Sequence, residues 1–144
     1  MGCAHSTSTF PAEGRTLIAK DSNVMMEEDI CVIMTFRDLR TPNKRSNYLY
    51  SVTKGSLAIS EQRIVGYVRE NRGGRIQRQV NINFQDISAM SGVNVSLNEK
   101  GFLCIQSDLS LVHPEGGYSG TMKLVYQTAQ ANSFFVRLPV HLTR

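Results

Sequence analysis

Residues 48–68, YLYSVTKGSLAISEQRIVGYV, decide how this chain folds. Leu57 and Ile59 alternate with Ser56, Ala58 and Ser60, and Ile64 and Val68 alternate with Val65 and Tyr67. That period of two is what a strand with one buried face requires, so the stretch reads as two antiparallel strands. Glu61 and Gln62 are not an Asn-Gly or Asp-Gly pair, and the expected connection is therefore a loop of three or four residues that includes Ser60. Gly55 and Gly66 interrupt apolar strands, where an isolated glycine marks a bulge or bend, and two bends suit a sheet that curls on itself.

Further strands follow on both sides. Ile30 to Phe36 is an apolar run with Ile30, Val32, Met34 and Phe36 on one side, entered through the acidic Glu27-Glu28-Asp29. Residues 37–47 read as a polar, basic, turn-rich connection, and 69–78 (RENRGGRIQR) as a second one around Gly73-Gly74. Residues 79–84, 92–97, 102–106 and 122–127 each alternate and make four more strands, with Asn98 to Gly101 as a turn and 113–120 as a long connection. Short strands at regular spacing indicate a sandwich or barrel. Two readings compete for 129–142. Phe134, Val136, Leu138, Val140 and Leu142 keep strand alternation, whereas Ala131, Phe134, Phe135 and Leu138 share one helical face, with Thr128 as a cap and Pro139 as a stop.

At 144 residues, 41% hydrophobic and 19% charged, the chain is one globular domain with a tail. No apolar run approaches the roughly 20 residues that span a bilayer. Residues 1–20 lack the apolar core of a secretory leader. Three cysteines, Cys3, Cys31 and Cys104, without a CxxC spacing, predict free thiols in a reducing compartment, with Cys31 as a small core residue.

Met1-Gly2-Cys3-Ala4-His5-Ser6 fits M-G-x-x-x-[ST], the pattern for removal of the methionine and myristoylation of Gly2. A single myristoyl chain holds a bilayer only marginally, and Cys3 stands where a palmitoyl chain supplies the second anchor. Residues 1–22 are then a flexible acylated tether and 23–144 the folded domain, and the expected location is the cytoplasmic face of a membrane.

From Glu27 to Leu142 the order of features resembles the pleckstrin-homology-like superfamily, in particular its GRAM and bacterial PH-like branches. The resemblance rests on the acidic entry Glu27-Glu28-Asp29-Ile30, on Gly55, Leu57, Ser60, Arg63 and Ile64 in a Gly-x-Leu-x-x-Ser-x-x-Arg-Ile pattern, and on Phe84-Gln85-Asp86-Ile87. It implies a mainly β, α+β fold: a seven-stranded roll of two near-orthogonal antiparallel sheets, its open corner capped by one C-terminal helix. That in turn favours helix over 129–138.

In a four-strand meander the first and third connections leave the sheet at the same end. Arg37, Arg40, Lys44 and Arg45 against Asp38 give 37–45 a charge of +3, and Arg69, Arg72, Arg75 and Arg78 against Glu70 give 69–78 another +3, so the rest of the chain carries −2 of the net +4. A basic pole follows. Each such group near an anionic leaflet contributes about 1 kcal/mol within a Debye length of about 8 Å, and arginine forks suit phosphate oxygens. By the resemblance these two connections surround the headgroup in lipid-binding members, and anionic lipids, phosphoinositides among them, are the expected partner. The lipid-binding pattern also asks for a basic residue in the second strand; Tyr48 to Val52 has none, which favours general attraction to an anionic surface over selection of one inositol phosphate. The competing expectation is a membrane-tethered scaffold that binds another protein and no lipid headgroup.

Catalytic chemistry is not expected. His5, His113 and His141 lack metal-ligand spacing to one another or to cysteine, and Gly73-Gly74 lacks the context of a nucleotide-binding loop, so no metal or cofactor is implied. No aromatic pairs interleave the arginines, and nucleic acid is not expected as a partner.

Overall fold

The two strands expected from residues 48–68 are present, joined by the tight connection Ser60 to Gln62, in which the Ser60 amide donates to the Arg63 carbonyl at 2.9 Å. A computed structural model describes residues 10–41, 44–69, 77–85, 92–108 and 119–139; of residues 41, 44, 46–51, 69 and 77–80 it describes the backbone alone. In chain order the elements are helix α1 (Ala12–Ile18), strands β1 (Met25–Thr41), β2 (Lys44–Ile59), β3 (Arg63–Arg69), β4 (Gln77–Asn83), β5 (Val93–Leu97), β6 (Leu103–Asp108) and β7 (Ser119–Gln127), and helix α2 (Ala131–Phe135). The strands form one antiparallel sheet in the order β4-β3-β2-β1-β7-β6-β5. It is a meander whose first and last strands pair, curled into a half-barrel.

Curling is what buries the apolar face. In a flat sheet β7 would lie three strand spacings, about 14 Å, from β3. Here the Tyr126 hydroxyl of β7 reaches the Tyr67 carbonyl of β3, at 3.4 Å across the interior. Val32, Met34, Leu57, Ile59, Ile64, Val68, Ile82, Val95, Leu103, Ile105, Met122 and Leu124 fill the concave side as one cluster, which Ala131, Phe134 and Leu138 from α2 and the turn after it join. Gly66 is not a bulge: β3 keeps unbroken register with both neighbours. Its missing side chain leaves room for Tyr126, because a Cβ there would stand 2.6 Å from the Tyr126 oxygen.

The irregularities lie in β1. Its register shifts against β2 between Glu27 and Ile30, and against β7 between Arg37 and Arg40. At each shift an aspartate takes the left-handed region, Asp29 at φ 59° and Asp38 at φ 53°. Aspartate tolerates that region better than most residues, and each bulge adds curvature to a 17-residue strand.

Several expectations are revised. The basic stretch 37–47 is not a connection, since β1 runs on to Thr41 and β2 begins at Lys44. Its polar side chains are compatible with strand because hydrogen bonding to β2 on one side and β7 on the other sets the backbone. The C-terminal helix covers Ala131–Phe135 rather than 129–138, with the Thr128 hydroxyl accepting from the Gln130 amide just ahead of it. Residues 10–22, expected within a flexible tether, lie against the sheet. Phe10, Leu17 and Ile18 form a second cluster with Met26, Ala58, Val65 and Tyr67 on the outer face, and Phe10 meets Tyr67 edge-on at 5.2 Å. Glu28 accepts from the Phe10 amide at 2.6 Å and pairs with Arg15. The apolar residues of this segment are too few to show a period, and the sheet supplies the partner face. Cys31, expected as a free core thiol, is disulfide-bonded, on a β1 position that alternates out of the concave core; an odd cysteine count leaves room for one bridge. Cys104 is a buried free thiol, as expected, and burial pushes its pKa up.

Candidate anionic-surface interface

The concave side is occupied by the chain's own side chains, so among the described residues any ligand has to be met on the outer face or at the ends of the sheet. On β1 the outer positions are Cys31, Ile33, Thr35 and Arg37, alternating with buried Val32, Met34 and Phe36. Regular alternation would then send Arg40 inward. The bulge at Asp38 inserts one residue, Leu39 turns into the core instead, and Arg40 emerges on the same outer face as Arg37. Arg45 of β2 stands directly opposite Arg40. All three arginines are exposed.

Two like charges directly opposed across an antiparallel pair, their Cβ atoms about 5 Å apart, destabilise the bare hairpin, and an anion over the pair relieves the repulsion. Gly120 of β7 makes the bulge possible. It sits at φ 116°, and a Cβ there would lie 2.7 Å from the carbonyl oxygens of Arg37 and Asp38, so β7 can follow β1 through the irregularity only with glycine at this position.

Next to the arginines, β7 and β6 complete a polar patch. Thr35 pairs with Lys123, which pairs with Gln106, and Arg37 pairs with Thr121 in the adjoining row. These five side chains and Asp38 line an open groove of about 300 Å³. Lys123 is exposed and lies close enough to the Cys104 thiol to favour its thiolate slightly, though burial dominates that group.

Of the eight cationic residues expected to gather at one pole, three have described side chains. Arg37, Arg40 and Arg45 share the outer face of the β1–β2 hairpin. Lys44, Arg69 and Arg78 are described by backbone alone, and Arg72 and Arg75 lie outside the described residues, as do Gly2 and Cys3. Both hairpins turn at the same end of the meander, as expected, but they are staggered. Val68 and Arg78, paired with each other, lie level with Gly55, some ten residues along β2 from Arg45, which is up to about 33 Å at the strand rise. The paired β1–β2 ribbon therefore extends well past the paired part of β3–β4.

At the opposite end of the sheet the residues behind the Ser-x-x-Arg part of the pattern have a structural role. Asp21, ahead of β1, accepts from the Arg63 guanidinium at 2.8 Å and from the Ser60 hydroxyl at 2.7 Å. Ser60 in turn accepts from the Gln62 and Arg63 amides. The Asp21 side chain is 4% exposed. The cluster ties the segment after α1 to the β2–β3 turn, and beside it Asn23, Ser60, Glu61 and Arg137 line a polar hollow of about 350 Å³.

Sequence reasoning missed Thr35, Asp38, Gln106, Thr121 and Lys123. Alternation around Met122, Leu124 and Tyr126 marks Lys123 as outward, but nothing local says that β7 pairs with β1. Among the described residues no cluster of histidine, cysteine or acidic side chains suits a metal ion, and no helix is long and apolar enough to cross a membrane. Comparison with protein families, with characterised proteins and with solved structures finds no match to this chain.

Proposed function

We propose that the chain is a non-enzymatic, peripheral membrane module whose domain settles on an anionic lipid surface through the outer face of the β1–β2 hairpin. The observation that carries this reading is the bulge at Asp38, which turns Arg40 onto the face of Arg37 and against Arg45. Lys44 extends that patch along the sequence. Arg69, Arg72, Arg75 and Arg78 are a second basic group in the sequence and add to the attraction for an anionic surface. In a reducing compartment, where Cys31 would be a thiol and Cys3 open to acylation, myristoylation of Gly2 and palmitoylation of Cys3 provide the anchor, and the basic residues set the orientation, on the cytoplasmic leaflet.

The domain is read as a pleckstrin-homology-like roll, with the curled sheet divided into two near-orthogonal halves and α2 stoppering the gap between β4 and β5. The β1–β7 pairing, the reach of Tyr126 to β3 and the burial of Phe134 in the common core support it. A specific observation favours a second reading of the address. The Cys31 disulfide persists best in an oxidising compartment, where the same arginines would face the anionic surface from outside the cytosol and the Gly2 pattern would carry no acyl chain.

Sedimentation with vesicles of phosphatidylcholine, with and without 30 mol% phosphatidylserine, tests the surface. The non-acylated protein is expected to bind only the anionic vesicles, more weakly as salt rises, and Arg40→Glu or Arg45→Glu is expected to weaken binding roughly thirtyfold, since charge reversal changes two units at about 1 kcal/mol each and 1.4 kcal/mol is tenfold. Equal binding to both vesicles, or none, removes the headgroup role and leaves a tethered scaffold for a protein partner. Intact mass of the protein made in its own cell decides the anchor: loss of methionine with gain of a myristoyl group supports the cytoplasmic reading, and an unacylated, disulfide-bonded species supports the second.

A further inference from the structure

We infer that the groove between β1, β7 and β6 is a binding site for a phosphomonoester carried on a small hydroxyl-bearing group. The inference deepens the anionic-surface reading by assigning chemistry to a site separate from the Arg40–Arg45 pair. The register sets the five strand side chains of the groove in two adjacent rows, Thr35–Lys123–Gln106 and Arg37–Thr121. Adjacent strands are about 4.8 Å apart and alternate residues along a strand about 6.8 Å, so these side chains rise from a patch about 7 by 10 Å.

Its donors match three anionic oxygens better than two. Arg37 offers a planar fork, Lys123 a point charge, Gln106 an amide and Thr35 and Thr121 hydroxyls. A carboxylate has two oxygens and would leave part of this set unused. The sixth lining residue, Asp38, only accepts; it repels a bare anion and suits a ligand that brings hydroxyl donors beside its phosphate. A cavity of about 300 Å³ is at the lower end for small-molecule sites, which limits the ligand to roughly a phosphorylated polyol. Either a lipid headgroup or a free metabolite of that chemistry fits.

The test titrates the ¹⁵N-labelled full chain with glycerol 3-phosphate, using sulfate and glycerol as controls, and compares vesicles bearing lysophosphatidic acid, which keeps a free hydroxyl beside its phosphomonoester, with vesicles bearing phosphatidylserine. Saturable shifts are expected at the amides of Thr35, Arg37, Gln106, Thr121 and Lys123, at least fivefold weaker in Lys123→Gln and unchanged in Lys100→Gln on the β5–β6 turn, with both variants melting as the parent does. A preference for lysophosphatidic acid over phosphatidylserine that disappears in Lys123→Gln assigns the source as lipid. The same free-ligand shifts without that preference assign a soluble phosphate ester. Glycerol 3-phosphate acting no differently from sulfate, shifts mapping elsewhere, or indifference to Lys123→Gln overturns the site. If that happens while phosphatidylserine binding still depends on Arg40 and Arg45, the groove falls and the surface reading stands.

Discussion

Replacing Gly66 by alanine tests whether the sheet closes on itself as described. The added Cβ would meet the Tyr126 oxygen at 2.6 Å, Leu57 Cδ1 at 3.3 Å and Tyr126 Cζ at 3.5 Å. Tyr126 and Leu57 are fully buried, so the ring cannot swing away without disturbing its neighbours. Overpacking of this kind costs about 1–3 kcal/mol, offset by about 0.5–1 kcal/mol because alanine loses less backbone freedom than glycine on folding. The expected net destabilisation is about 1–2 kcal/mol. Tyr126→Phe alone forfeits a long 3.4 Å hydrogen bond to the Tyr67 carbonyl, worth about 0.5 kcal/mol. Together the two costs should not add. With the phenolic oxygen gone, the new methyl keeps only the contacts at 3.3 and 3.5 Å, and the double variant should be as stable as Tyr126→Phe or slightly better. Urea denaturation of the four proteins, with m-values unchanged, reads a coupling of about 1–2.5 kcal/mol. Costs that add to within about 0.5 kcal/mol would refute the reasoning, because Tyr126 of β7 would then not stand over Gly66 of β3.

Three further outcomes follow from particular contacts. Asp21→Asn leaves the largely buried Arg63 guanidinium without its counter-charge and should cost about 2–3 kcal/mol, less than a fully buried pair because Arg63 keeps some exposure; faster amide exchange over residues 12–24 checks the local effect, and a change in melting below 1 °C would contradict it. Gly120→Ala forces a side chain at φ 116° into two carbonyl oxygens and should cost about 2 kcal/mol or more, with amide shifts concentrated at residues 37–40; a silent substitution would mean that the bulge does not need β7 so close. Burial raises the Tyr126 pKa, and burial followed by the nearby Glu13 carboxylate raises that of Tyr67, so the fold favours their neutral forms. Stability should therefore be flat on their account through neutral pH and fall as pH rises past the ordinary tyrosine value near 10. Tyr126→Phe should flatten that alkaline limb, and an unchanged limb would argue against the burial of its hydroxyl.

The strands were legible wherever one face is buried. Alternation located β3 and most of β4 to β7 within a few residues, because a period of two survives whatever the partner strand is. The ends of β1 and β2 were not legible: Arg37 to Ser46 carries turn-forming and charged residues, and only pairing with β2 and β7 holds that backbone extended. The arginines of the candidate interface were named from sequence, but as loop residues gathered into one pole. Their face depends on a single inserted residue at Asp38, and a bulge changes which side a residue points to without leaving a compositional mark. Lys123, Gln106 and Thr121 join the site from strands some seventy to ninety residues further along the chain, and their nearness to Thr35 comes from register alone.

By itself, the order of residues determined that this is a seven-stranded antiparallel protein with an excess of arginine in 37–45 and 69–78, since alternation and charge are properties of neighbours in the chain. Only the tertiary structure decided that β7 closes on β1, that Tyr126 takes the space of Gly66, that residues 10–22 lie against the outer face, that Cys31 forms a disulfide and that Arg37, Arg40 and Arg45 share one side. Each of these joins residues distant in sequence or set by long-range register, and hydrophobic burial on the concave side selects among the pairings that local preference leaves open.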